Sequence, residues 1–200
     1  MAELKYAANN KLFNAEAAAW DSSPTIHLAS ALALKTLQDN VENLQIPCAG
    51  STKGLDLLEI GCGTGVLSFL ISPYVRSVTG VDVAEGMIDV LKAKLAKPEA
   101  PRNILPVHAV LEDPDDARIQ QDPLGENATD GVPRRFDLVI SHLVLHHIPS
   151  LSEALSTMYG SLKPGGRVAL TDYEDFGPEA RKVGCCFRLS CLRVLVAPPF

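Results

Sequence analysis

The 200-residue chain predicts an α/β fold: a doubly wound, mostly parallel sheet with helices on both faces. Three observations carry that prediction. Between residues 55 and 172, apolar runs of strand length alternate with helix-length segments, the rhythm of parallel strands joined by crossovers. The first run, Leu55-Asp56-Leu57-Leu58-Glu59-Ile60, passes into Gly61-Cys62-Gly63-Thr64-Gly65, where the backbone can turn sharply and approach a ligand closely. The second run, Ser77-Val78-Thr79-Gly80-Val81-Asp82, ends in a carboxylate about 20 residues farther on.

Taken in order, residues 11–21 are alanine-rich, contain Trp20 and predict a short helix. Ser22-Ser23-Pro24 supplies the cap and first-turn proline of a second helix, expected to run to about residue 43. Its Ile26, Ala29, Ala33, Leu34 and Leu37 form one apolar stripe. Residues 46–54 link it to the strand at 55–60, followed by a helix at 65–72, a strand at 78–82 and a helix at 84–96. A third strand is expected at 104–111, and its Pro106 places it at a sheet edge. Residues 112–135, dense in Asp, Gly and Pro, predict a partly helical, acidic surface insertion. Phe136-Asp137-Leu138-Val139-Ile140-Ser141 is the fourth strand, and a helix at 150–162 leads through Lys163-Pro164-Gly165-Gly166 to a fifth at 167–172.

Composition narrows the function classes. The chain is 46% hydrophobic and 21% charged, ordinary for one globular domain. Acidic residues outnumber basic ones, 24 to 18, and no stripe of Lys and Arg suits a phosphate backbone, so nucleic acid is not expected as a partner. No apolar run is long enough to span a bilayer, so no membrane partner is expected either. Five cysteines, unevenly spread, predict reduced thiols and a cytoplasmic or nuclear location. Cys185, Cys186 and Cys191 lack a matching partner set, which argues against a zinc site, and no metal is expected.

Spacing sorts the glycine loop. The dinucleotide fingerprint needs a glycine at position 66, where this chain has Val66. A phosphate loop needs Gly-Lys-Ser/Thr, and no lysine occurs between Lys53 and Lys92. The remaining pattern, an acidic residue followed by Gly-x-Gly-x-Gly, resembles motif I of the class I methyltransferases that use S-adenosyl-L-methionine. The carboxylate at Asp82, the run Leu145-His146-His147 after the fourth strand and the turn 163–166 match further motifs of that family in order, so the resemblance covers roughly residues 55–172. It implies a Rossmann-like fold divided into an N-terminal helical cap (1–45), a cofactor-binding core (46–176, with the insertion at 112–135) and an atypical tail (177–200).

The resemblance implies cofactor contacts from Glu59, Gly61, Cys62, Gly63, Gly65, Asp82, Val83, Met87, Glu112 and Ser141. The glycines admit the methionine part, Glu59 helps orient its ammonium, Asp82 takes the ribose hydroxyls, and Val83 and Met87 wall the adenine. For the adenine amino group, Glu112 or Asp113 is nearest, with Val110 as the competing occupant of that position. As plain alternatives, Asp82 caps the following helix, Met87 fills core, and the histidines pack. His146, with His142 behind it, is the candidate general base where the acceptor carries a proton. The function expected is methyl transfer to a small-molecule nucleophile. The alternative is a cofactor-binding protein impaired in turnover. A protein or RNA methyltransferase is disfavoured, because Ser141-His142-Leu143-Val144 stands where an Asn- or Asp-Pro-Pro-Tyr tetrapeptide would mark amino-group methylation.

The family also continues with a further helix and two antiparallel strands. Only residues 182–200 remain here, so the expectation is a truncated or altered C-terminus, missing antiparallel strands and an open edge on the fifth strand.

Overall fold

The structure, a computed structural model, describes residues 2–48, 51, 54–125, 132–173 and 192–196. Two helices, α1 (Ala2–Trp20) and α2 (Pro24–Asn40), precede β1 (Asp56–Ile60), α3 (Val66–Ile71), β2 (Ser77–Asp82), α4 (Glu85–Leu95) and β3 (Ile104–His108). Then come β4 (Phe136–His142), α5 (Leu151–Gly160), β5 (Leu162–Tyr173) and β6 (Leu192–Val196). The sheet order is β3-β2-β1-β4-β5-β6. Neighbours from β3 to β5 are parallel, and β6 pairs antiparallel with β5. β3 is an edge strand, as Pro106 requires.

Alternate residues along each strand feed opposite faces of the sheet. Leu57, Val78, Leu138 and Ala169 join Ala33 and Leu37 of α2 and Leu67 and Ile71 of α3 in one core. Leu58, Val81, Val139 and Val168 join Ile119 and Met158 in the other. Both faces are covered, which is why the strands read as nearly continuous apolar runs.

The structure corrects four sequence expectations. One strand of the antiparallel ending is present: Leu192-Arg193-Val194-Leu195-Val196 pairs residue by residue with β5, from Tyr173 back to Ala169. This strand supplies backbone hydrogen bonds to an edge that was expected to stay open. Residues 174–191, including Cys185, Cys186 and Cys191, lie outside the described residues. α1 begins well before residue 11, and β3 stops at His108 rather than 111. The turn at 163–166 lies within β5, where the register with β4 shifts between Phe136 and Leu138.

The expected surface insertion is tied down at its far end. Arg134 is 5% exposed, and donates to Thr79 Oγ1 at 3.0 Å and Ser77 Oγ at 2.8 Å. Asp122 accepts from Arg76. Both join a buried cluster around Asp56, which accepts from Arg76 Nη1 at 2.6 Å, Ser77 Oγ at 2.6 Å and Lys163 Nζ at 2.9 Å. Burial pushes the Asp56 carboxyl up, but the bonds from Ser77, Lys163 and Arg76 outweigh it and hold the group at about 2. A depressed carboxyl stabilises the fold above its unfolded value, and the contribution is lost as pH falls toward 2.

Asp56→Asn leaves Arg76 and Arg134 with buried charge that is incompletely balanced. Urea unfolding at neutral pH should show a loss of about 3–5 kcal/mol, and an unchanged midpoint would contradict a stabilising role.

Candidate functional site

A cavity of about 630 Å³ opens at the carboxyl ends of β1, β2 and β4, the crevice where ligands bind in open parallel sheets. Its floor is Glu59 to Gly63 with Asp82, Val83 and Met87. One wall is Ala109, Val110 and Leu111; the other is His142, Leu143, Val144, His146 and His147. Phe13 and Trp20 of α1 and Ile26 and Ser30 of α2 cover it. Phe13 sets its ring edge-on to Trp20 at 5.8 Å and to His147 at 5.1 Å between centroids.

The glycine loop is shaped by crowding on two sides. Gly61 has φ +77°, and a Cβ there would fall 2.2 Å from Val144 Cγ2. Gly65 has φ +82°, and a Cβ there would fall 2.6 Å from Leu91 Cδ1 of α4. Gly63 differs: its nearest neighbour in that direction is Trp20 Nε1, at 3.9 Å. The first and third glycines therefore permit close packing, while the middle one presents backbone to the cavity.

Asp82 fixes that loop to the end of β2. One carboxylate oxygen accepts from Gly63 N at 2.8 Å and the other from Ala84 N at 2.8 Å. Burial pushes its carboxyl above the ordinary range, against the bonds from Ala84 and Gly63. Glu59 is 2% exposed and accepts from Ser68 Oγ at 2.5 Å. Burial raises it to about 8; the Ser68 bond opposes the rise and the charge of Asp82 adds to it. The Cys62 thiol is pushed well up by burial, then by Asp82 and Glu59, and stays protonated.

At the end of β4 the backbone takes a left-handed turn at Leu143, φ +57°, a conformation costing a non-glycine residue about 1–2 kcal/mol. Leu143 N donates to Thr171 O at 2.8 Å, which holds the turn. His142 Nδ1 lies 2.6 Å from Thr171 Oγ1, and burial lowers the imidazole to about 4, so it is neutral near pH 7. His146 Nδ1 meets Asp172 Oδ1 at 2.8 Å, and His146 N donates to Asp172 Oδ2 at 3.3 Å. A carboxylate on Nδ1 occupies that ring nitrogen and leaves Nε2 as the other position for a bond.

The sequence profile of a family described as a methyltransferase domain matches residues 58–168, more than half of the chain. The chain belongs to this methyltransferase family. Among curated relatives, an uncharacterized methyltransferase of Schizosaccharomyces pombe is 24% identical over 86% of this chain and 66% of its own length. A ubiquinone biosynthesis O-methyltransferase of Coxiella burnetii is 27% identical over 72% of the chain and 50% of its own length. The chain thus spans about half to two thirds of the length of these relatives. Among solved structures, a DhpI–SAH complex superposes with a TM-score of 0.56 at 20% identity, covering 83% of this chain and 68% of that one. A putative S-adenosyl-L-methionine-dependent methyltransferase of Methanococcus maripaludis gives 0.56 at 15% identity, over 82% and 62%. Both likenesses support the Rossmann-like fold.

Of the residues singled out from the sequence, the methyltransferase domain gathers Glu59, Gly61, Cys62, Gly63, Asp82, Val83, Met87, His142 and His146 around one cavity. Three stand elsewhere. Gly65 packs under Leu91. Ser141 is 1% exposed and spends its hydroxyl on Ile60 O at 3.0 Å, joining β4 to β1. Glu112 is exposed and its carbonyl accepts from Thr157 Oγ1, while Val110 lines the cavity. Phe13, Leu111 and Asp172 were not foreseen. The apolar stripe of Phe13, Ala17 and Trp20 along α1, packed on Ala84 and Met87, was the signal for the first of these.

Among the described residues no helix is long and apolar enough to cross a membrane, and no group of His, Cys, Asp and Glu could hold a metal ion.

A carboxyl raised by folding makes the folded state bind more protons than the unfolded chain, so stability falls as pH rises from about 4.5 to about 8. Melting temperatures of the ligand-free domain should show that fall, and Glu59→Gln should flatten it. An equal slope in the variant would contradict the assignment.

Proposed function

We propose that the domain is an S-adenosylmethionine-dependent methyltransferase that moves a methyl group to a small-molecule nucleophile by in-line displacement. The observation that supports this most is the Asp82 carboxylate bonded to Gly63 N at the floor of a ligand-sized cavity. The residues present fit the cofactor. Asp82 has spent one lone pair on each oxygen and retains capacity for a vicinal diol. Gly63 leaves room beside it, and Glu59 offers a buried acid for an ammonium group.

The cofactor supplies a methyl carbon activated by a sulfonium. The chain's own residues do the rest. Asp82 takes the ribose hydroxyls, Val83 and Met87 flank the adenine, and Glu59 faces the ammonium. Phe13 and Trp20 exclude water above the reacting centre and seat the acceptor. Positioning of this kind contributes about 7–11 kcal/mol to lowering a bimolecular barrier. His146, oriented by Asp172, receives the proton of an acceptor hydroxyl or amine, while His142 stays neutral and fixes the β4 end through Thr171. The O-methyltransferase named among the relatives is consistent with a small hydroxylated acceptor.

Calorimetric titration with S-adenosylmethionine and S-adenosylhomocysteine should show binding that Asp82→Ala weakens about 10–100-fold, the scale of one or two charge-assisted hydrogen bonds. His146→Ala should leave that affinity nearly unchanged and slow transfer to screened small nucleophiles by about 100-fold or more. A folded wild-type domain that binds neither compound would contradict the proposal. Binding without product on any acceptor would favour the impaired reading.

A further inference from the structure

We infer that Asp21 is a positioning residue that fastens the helical cap to the cofactor loop and thereby holds Trp20 over the site. The inference rests on the reading above that the cavity floored by residues 61–63 receives the cofactor. Asp21 stands in the three-residue connection between α1 and α2, directly after Trp20. Its carboxylate makes two bonds to parts of the core distant in sequence. Thr64 Oγ1, in the middle of the glycine loop, donates to Oδ1 at 2.5 Å, and Lys94 Nζ, in the last turn of α4, donates to Oδ2 at 2.6 Å. Lys94 closes the triangle by donating to Thr64 O at 2.9 Å.

Each member of this triangle is itself held. Thr64 is fully buried. Lys94 lies 4.9 Å above the Phe69 ring of α3, a cation–π contact that fixes its head group. The Asp21 carbonyl lies 2.7 Å from His27 Nε2, which stiffens the connection from the α2 side. Along α1 the docking continues through Asn14 Oδ1, which accepts from Gly86 N at 2.7 Å, and through Phe13 and Trp20 on the α4 surface. The apolar contacts explain why α1 lies on α4. They do not set its register against the glycine loop, because apolar packing is not directional. The Asp21 carboxylate does, by bonding the loop and α4 at once. Asp21 does not line the cavity, so it acts through Trp20 and Thr64.

The chain has one tryptophan, so its emission reports on the cap by itself. In the full chain without ligand, Asp21→Ala should shift Trp20 emission to the red and increase its quenching by acrylamide. In the same protein S-adenosylhomocysteine should bind about tenfold more weakly, the loss expected for one directed charged contact. Lys94→Met should do the same, and the double variant should be no weaker than the worse single, since both remove one shared interaction. Unchanged emission and affinity in Asp21→Ala, or losses that add in the double variant, would overturn the inference. Should Asp21→Ala fail to fold, Thr64→Val removes only the hydroxyl donor at equal shape and decides by the same two readings. A wild type that binds no S-adenosylhomocysteine would defeat the proposed function, while the ligand-free emission would still decide whether Asp21 holds the cap.

Discussion

The site depends on what happens at the end of β2. Val81 O accepts from both Gly61 N and Cys62 N, and the next residue, Asp82, accepts from Gly63 N and Ala84 N with its carboxylate. Asp82 O also accepts from Ala109 N, which brings the end of β3 alongside. Five backbone donors from three segments thus converge on two residues. Without a carboxylate there, the Gly63 amide would lose its partner and the loop would lose its curvature at the one glycine with room beside it. The parallel sheet supplies the platform, but this set of bonds gives the platform a floor.

Charge is arranged oppositely at the two ends of the sheet. At the amino ends Asp56 is surrounded by Arg76, Arg134 and Lys163, and its carboxyl is held low. At the carboxyl ends Glu59 and Asp82 are buried near one another without such partners, and both are held high. The first arrangement stabilises the fold and holds Asp122 and Arg134 of the insertion. In the second, burial favours the neutral carboxyls, and a cation beside them would favour the charged form.

Much of this was legible in the sequence where the signal was local. Apolar runs gave β1, β2 and β4 to within a residue or two, Pro106 marked the edge, and the 19-residue separation of Gly63 and Asp82 matched a bond actually made. What escaped depended on distant partners. Asp21 meets Thr64 and Lys94 at separations of 43 and 73 residues, and Arg134 meets Asp56 at 78. No pattern within one element announces such pairs, so residues 112–135 read as a surface insertion and Asp21 as the last residue of a short helix. β6 escaped for a different reason: its five residues form a strand because β5 offers an edge, not because an alternating pattern demands it. Ser141 and Glu112 were misplaced because adjacency to a strand end fixes a residue's neighbourhood but not the direction of its side chain.

The most direct test of the account is a crystal structure of the domain with S-adenosylhomocysteine. The account predicts both ribose hydroxyls donating to the Asp82 carboxylate while Gly63 N keeps its bond to the same group, with Trp20 over the ligand. A ligand seated away from Asp82, or a glycine loop that abandons Asp82 to receive it, would contradict the claim that this carboxylate builds the cofactor site.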